Sequence, residues 1–185
     1  MPQRPVVLAS GSPRRRELLR ELIPDFEVLT SDVDEDALTV EDPFETAERL
    51  AESKARAIHA LRPEALVIGG DTVVALEGEQ FAKPKDVEDA KRMIRALSGR
   101  THVVATGISL VSPEGVQTFH DKTYVTFRDL SDDEIAAYVA TGEPMDKAGA
   151  YAIQGGAAGF VTKRDGSESN VIGLPLERLR EYLRL

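Results

Sequence analysis

The sequence predicts an α/β fold in one domain, and three observations carry that expectation. Short apolar runs of strand length, such as Val6-Val7-Leu8-Ala9 and Ala65-Leu66-Val67-Ile68, alternate with stretches whose apolar residues recur at helical spacing. A length of 185 residues can bury a proper core and fits one domain, with room for two lobes flanking a cleft. Apolar residues make up 42% and charged residues 30%, a balance that excludes a wholly disordered chain.

The first element is a buried strand, Val6 to Ala9, which breaks at Gly11. Ser12 is a good N-cap and Pro13 suits the first helical position, so a helix starts there and buries Leu18, Leu19, Leu22 and Ile23 until Pro24 stops it. Its first turn carries Arg14, Arg15 and Arg16 at the positive pole of the helix dipole, which opposes each exposed charge by roughly 0.3–1 kcal/mol. A phosphate or carboxylate would offset that conflict by accepting from main-chain N–H groups, the Ser10 and Ser12 hydroxyls and one or two guanidinium forks. The plainer reading is a solvated basic helix start.

Phe26 to Leu29 reads as a weak strand, and Asp32, Asp34, Glu35 and Asp36 as an acidic loop from which Glu35 reaches a metal or a ligand hydroxyl, or simply solvent. From Pro43 to about Leu61, the residues Phe44, Ala47, Leu50, Ala51 and Ile58 mark the apolar stripe of a helix. Lys54 falls inside that stripe. It either snorkels along its stem or points inward toward a phosphate.

Ala65 to Ile68 is a second buried strand, Gly69-Gly70 a passage for close backbone, and Asp71 to Leu76 a resumed strand. Asp71 is out of place in so apolar a run, because desolvating a carboxylate is costly without partners. It is a turn aspartate at the glycine bend, or a carboxylate at a strand end facing a cleft, where it holds a metal or a water. After a turn at Glu77-Gly78-Glu79, Pro84 forces Lys83 extended just before a helix, which makes Lys83 another phosphate candidate. That helix is capped by Asp86, lines one face with Val87, Ala90, Ile94 and Leu97, and closes at Gly99.

Thr101 to Val111 and Val116 to Phe127 alternate as two long strands joined at Pro113-Glu114-Gly115. Ser131 to Glu134 is a capping box for a helix with Ile135, Tyr138 and Val139 inward, ended by Gly142. Lys147 to Gly156 is rich in small residues and suits a pocket wall. Phe160 to Lys163 reads as a short strand, Gly166 to Asn170 as a polar loop, and Leu176, Leu179 and Leu183 as a closing helix.

The formal charge of −9 would repel nucleic acid and anionic membranes, so any anion site is local and suits a small, highly charged ligand. No apolar run reaches membrane length, no signal peptide is legible and cysteine is absent, which together predict a cytoplasmic protein. There is no G-x-x-x-x-G-K-[ST], no dinucleotide glycine fingerprint and no zinc-ligand spacing among the isolated His59, His102 and His120. Cationic phosphate grips with an acidic residue remain, the parts for phosphoryl chemistry assisted by magnesium or manganese.

Five motifs carry a resemblance: Leu8-Ala9-Ser10-Gly11-Ser12-Pro13-Arg14-Arg15, Gly70-Asp71-Thr72-Val73-Val74, Lys83-Pro84, Tyr151-Ala152-Ile153-Gln154-Gly155 and Ser169-Asn170-Val171-Ile172-Gly173-Leu174-Pro175. In order and spacing, over nearly the whole chain, they resemble the Maf family of nucleoside triphosphate pyrophosphatases. The resemblance implies a single mixed-sheet α/β domain with helices on its faces and a cleft between two lobes, as in inosine triphosphatases. It also implies a divalent cation, Mg2+ or Mn2+, held by Glu35 and Asp71, and hydrolysis of a nucleoside triphosphate to monophosphate and pyrophosphate.

By motif, Asp71 would be the general base, with Ser10, Ser12, Arg14, Arg15, Lys54 and Lys83 around the triphosphate. The tyrosine-to-glutamine motif is similar to the subfamily acting on dTTP and UTP, in which Arg14, Thr72 and Gln154 would set base choice. The family also suggests a homodimer. Two positions depart from its pattern: Ala82 stands where a glycine commonly precedes Lys-Pro, and Glu168 where an aromatic often follows Gly-Ser. Two other readings stay open on sequence, a nucleotide-binding regulator of cell division without turnover and a sugar-phosphate nucleotidyltransferase.

Overall fold

A computed structural model of the chain describes residues 3–185. Its seven-stranded mixed sheet comprises β1 (Val6–Ala9), β2 (Glu27–Val28), β3 (Leu66–Leu76), β4 (Glu79–Phe81), β5 (Thr101–Ser112), β6 (Gly115–Phe127) and β7 (Val161–Asp165). The order is β2-β1-β3-β5-β6-β7, with β4 added to β3. β1 runs parallel to β2 and β3, whereas β3, β5, β6 and β7 meet antiparallel. The helices are α1 (Pro13–Arg20), α2 (Glu35–Leu38), α3 (Pro43–His59), α4 (Val87–Leu97), α5 (Asp132–Ala140), α6 (Glu168–Ile172) and α7 (Leu176–Leu183). The stretch between α5 and β7 is built of 3₁₀ turns at Glu143–Asp146, Ala148–Ala150 and Ala158–Phe160.

Strand alternation sorts the core. Leu8 of β1 and Ile68 of β3 pack with Leu19 of α1 and Leu179 of α7, while their neighbours Val7, Ala9 and Val67 pack with Ala55 and Ile58 of α3. A separate core joins the far ends of β3, β5 and β6 to α4, α5 and the 3₁₀ segment, through Phe81, Ile94, Phe127, Tyr138, Tyr151 and Phe160. The first two clusters, on opposite faces at the β1 end of the sheet, make one lobe and the third makes the other.

The register of β3 opens a space between them. β1 pairs with β3 only from Leu66 to Gly69 and β4 only from Val74 to Leu76, while β5 covers the other edge from Val67 to Ala75. Gly70, Asp71, Thr72 and Val73 therefore lie on an edge between β1 and β4 that neither strand covers.

Several sequence expectations change. Gly69-Gly70 does not interrupt the chain: β3 is continuous across it. The reason for glycine is helix approach, since a Cβ at Gly69 would collide with the main-chain oxygen of Ala51 and one at Gly107 of β5 with that of Ala47. Two expected loops hold short helices, because Asp34 caps α2 through the Ala37 N–H and Ser167 caps α6 through the Asn170 N–H. Val87 is exposed at the first position of α4, whose buried face is Ala90, Met93, Ile94 and Leu97. In α1 only Leu19 is fully buried, with Leu18, Leu22 and Ile23 packed at its margin.

Candidate active site

The uncovered edge of β3 forms the floor of a cavity of about 870 Å³, within the range of small-ligand pockets. Ser10, Ser12, Arg14, Arg15, Glu35, Lys54, Asp71, Thr72, Lys83 and Gln154 all line it. Residues spread from position 10 to position 154 thus share one space.

The first wall is the turn between β1 and α1. Ser12 caps α1, its Oγ accepting from the Arg15 N–H at 3.3 Å, and the Ser12 N–H donates to Ser10 Oγ at 3.2 Å. Pro13 follows at the helix start. The three arginines then diverge. Arg15 turns onto the sheet, its Nε donating to the Gly173 carbonyl at 2.7 Å, Nη2 to Thr72 Oγ1 at 2.8 Å and Nη1 to Ser10 Oγ at 3.3 Å. Gly70 and Gly173 leave room for it: a Cβ at Gly70 would sit 3.2 Å from Arg15 Nε, and Gly173 holds φ at +135°. Burial pushes the Arg15 guanidinium below its ordinary pKa, with the Asp71 charge opposing that shift. Arg14 reaches across the cavity mouth to Asp146, 3.6 Å away.

Asp71 and Thr72 are adjacent on a strand and so point to opposite faces, Thr72 toward α1 and Asp71 toward α3. Lys54 Nζ lies 2.8 Å from Asp71 Oδ1 and 3.2 Å from Glu35 Oε1, which settles how a lysine sits within an apolar stripe: its side chain is 18% exposed and its ammonium meets carboxylates at the cavity floor. Burial raises the Asp71 carboxyl above the usual aspartate range, against the pull of Lys54 and Arg15, and Glu35 adds to the rise.

The far wall is the small-residue segment. Tyr138 Oη accepts from the Ala152 N–H at 3.0 Å, and Glu143 Oε2 accepts from the Gly156 N–H at 3.0 Å, which anchors the Tyr151–Gly156 stretch on α5 and its following turn. Tyr151 is buried, its Oη 2.6 Å from Nε2 of His102. Gln154 is exposed, with its amide 3.4 Å from Glu168 Oε1. Glu168 in turn pairs with Arg164 at 3.2 Å. Lys83 stands exposed at the rim beside Ala82. Ala82 is absent from the positive-φ residues, so the main chain there does not demand glycine.

Sequence reasoning missed Asp146, which pairs with Lys147 at 2.7 Å on the far wall, and gave no role to the buried Thr106 and Asn170 behind Thr72. Asn170 is the chain's only asparagine and stands where a polar run gives way to the apolar Val171 and Ile172, which was a signal of a buried polar role. Thr106 gave none, because its register opposite Thr72 exists only in the folded sheet.

Among the described residues no group of three or more His, Cys, Asp or Glu is placed to hold a metal ion. Glu35 and Asp71 nevertheless converge on one ammonium. Two carboxylates sharing an ion with substrate phosphates is a usual mode for magnesium, so the donor set fits such an ion.

A mixed sheet with helices on both faces and a polar cavity between two lobes defines an α/β protein with a cleft for a small ligand. The Staphylococcus aureus Ham1 protein superposes with a TM-score of 0.56 at 19% identity, covering 98% of each chain. The HAM1 protein of Coxiella burnetii gives 0.52 at 18% identity, covering 98% of this chain and 99% of that one. At such identities the likeness speaks for the fold. The family model described as Maf-like protein matches residues 5–185, and the chain belongs to that family. A relative from Pelotomaculum thermopropionicum named dTTP/UTP pyrophosphatase is 48% identical over 181 residues, 97% of this chain and 95% of its own length. One from Geotalea uraniireducens with the same name is 50% identical over 181 residues, 97% of this chain and 93% of its own.

Proposed function

We propose that the protein hydrolyses nucleoside triphosphates, dTTP and UTP foremost, to the monophosphate and pyrophosphate, and so removes unwanted nucleotides. The observation that carries this reading is a carboxyl only 14% exposed, Asp71, 2.8 Å from the Lys54 ammonium on the floor of a cavity whose walls present Arg14, Arg15 and Lys83. The names of the relatives point the same way and disfavour a regulator without turnover.

In this reading Asp71 takes a proton from a water that attacks the α-phosphorus. The bond from that phosphorus to the bridging oxygen breaks, and pyrophosphate leaves with its charge met by Arg15 and Lys83. Lys54 orients Asp71 and favours its ionised form against the effect of burial. Mg2+ or Mn2+, held by Asp71 and Glu35 with substrate oxygens, would lower the charge density of the triphosphate. Gln154, with Arg14 and Thr72, would set base choice. The same proposal places the protein in the cytoplasm, as a homodimer, with no nucleic-acid or membrane partner. Among the described residues no helix is long and apolar enough to cross a membrane.

The test is pyrophosphate release from UTP, dTTP, ATP and GTP with magnesium or manganese. Release from the two pyrimidine substrates well above the purines is expected. No pyrophosphate from any of the four would overturn the proposal.

A further inference from the structure

Behind the candidate active site a set of hydroxyls has only one consistent proton arrangement. Thr106 lies on β5 opposite Thr72 of β3 and is 0% exposed. Its Oγ1 is 2.8 Å from the Asn170 carbonyl oxygen, which can only accept, so the single Thr106 hydroxyl proton goes there. The Thr106 and Thr72 hydroxyl oxygens are 2.9 Å apart. With the Thr106 proton committed, Thr72 must donate in that bond. Thr72 then faces Arg15 only as an acceptor, which matches the Arg15 Nη2 donor at 2.8 Å.

The bonds therefore run one way, from Arg15 to Thr72 to Thr106 to the Asn170 main chain. The far end is fixed. Asn170 is 0% exposed, and its Nδ2 donates to the Val104 carbonyl at 3.0 Å and to Thr123 Oγ1 at 3.1 Å. Three residues along the chain from Asn170, the Gly173 carbonyl accepts from Arg15 Nε, so the α6 segment grips the guanidinium directly and through the relay.

We propose that Thr106 is a positioning residue for Arg15, a role that rests on reading the cavity as a triphosphate site. By holding the Thr72 proton on the far side, it turns the Thr72 lone pairs toward the guanidinium and fixes that fork over the Ser10 turn. Thr72 offers a ligand a lone pair and no proton. Its influence on base choice therefore runs through Arg15 and not through donation to a base carbonyl.

The test compares Thr106→Val, Thr106→Ser, Thr72→Val and the double variant Thr72→Val/Thr106→Val. It reads affinity for inorganic triphosphate by calorimetry and kcat/KM for UTP by pyrophosphate release. Thr106→Val is expected to weaken both by about threefold to tenfold, the scale of one net hydrogen bond. Thr106→Ser keeps the relay and should match the parent. In the Thr72→Val background, Thr106→Val should add nothing, because its route to Arg15 is already gone. Parental triphosphate affinity in Thr106→Val, or losses that add in full in the double variant, would overturn the role. If valine does not fold at this position, Thr106→Ser against Thr106→Ala isolates the same hydroxyl. A parent protein that binds inorganic triphosphate but releases no pyrophosphate from UTP would defeat the proposed function and still allow the binding comparison to decide the relay.

Discussion

The Lys54 ammonium stands 2.8 Å from Asp71 Oδ1, joining the middle of α3 to the uncovered edge of β3. The contact depends on glycine: α3 lies on the sheet only because Gly69 and Gly107 present no Cβ to it. Asp71→Asn keeps the shape of that side chain but can neither take a proton nor hold a cation as well. Loss of a general base typically costs about 10²–10⁴-fold, so turnover should fall at least that far while the fold persists. The burial-raised pKa of Asp71 also sets a sign. The base works ionised, so kcat/KM should fall on the acid side, through a limb above the ordinary aspartate value of about 3.9. Near-parental turnover in pure Asp71→Asn would refute the assignment.

Arg15 and Lys83 approach the cavity in different ways, which separates their expected defects. Arg15 is pinned by the Gly173 carbonyl, Thr72 and Ser10, whereas Lys83 is exposed at the rim. Alanine at either position should weaken triphosphate handling more than monophosphate binding, and lower kcat as well as raise KM if departing pyrophosphate is stabilised there. Arg15→Ala should also lower Tm, because it leaves a buried carbonyl and a hydroxyl without their donor, at about 1–3 kcal/mol. Lys83→Ala should leave Tm unchanged. Binding constants for UTP and UMP, measured beside thermal unfolding, decide both points.

Much of this architecture is legible in the sequence wherever a rule is local. Ser12 and Pro13 mark the start of α1, Ser131 and Glu134 form their capping box, and Lys54 is conspicuous because a cation interrupts an apolar stripe. What depends on distant partners is not legible. Gly69-Gly70 reads as a place of close backbone approach, but that α3 is what approaches appears only in the fold, and the gap between β1 and β4 that exposes Asp71 and Thr72 is a matter of register. The short helices α2 and α6 fall below the length at which periodicity identifies a helix, so only their caps, Asp34 and Ser167, announce them.

Gln154 and Glu168 link the wall proposed to read the base to a departure from the family pattern. The Gln154 amide donates toward Glu168 at 3.4 Å, a long bond that a nucleobase can displace. Its donor and acceptor match the adjacent N–H and carbonyl of uracil and thymine. Gln154→Ala should therefore reduce the preference for UTP over ATP by about 1–3 kcal/mol in kcat/KM. Glu168→Ala releases the amide from its competing partner and should lower KM for UTP without changing kcat. Equal kcat/KM for ATP, GTP and UTP in the parent would defeat the pyrimidine preference and leave the pyrophosphatase reading in place.

His102 ties the same wall to acid stability. It is 1% exposed, wedged edge-on against Phe127 and Tyr151, with Nε2 at 2.6 Å from the Tyr151 hydroxyl. Burial lowers its pKa from 6.5 to about 4, so the folded protein holds a neutral ring where the unfolded chain is protonated. Between those values the unfolded state binds the extra proton. The stabilisation is therefore complete above pH 6.5 and is lost as pH falls toward 4. At about 1.4 kcal/mol per pH unit, the loss reaches about 3 kcal/mol. Denaturant unfolding at pH 7 and pH 4.5 should show that decline in the parent and a much flatter one in His102→Gln, whose amide can still meet Tyr151. Other groups that titrate in this window are common to both proteins, so the difference between them reports His102 alone. Parallel pH dependence in the two would mean that the imidazole is already charged in the folded state.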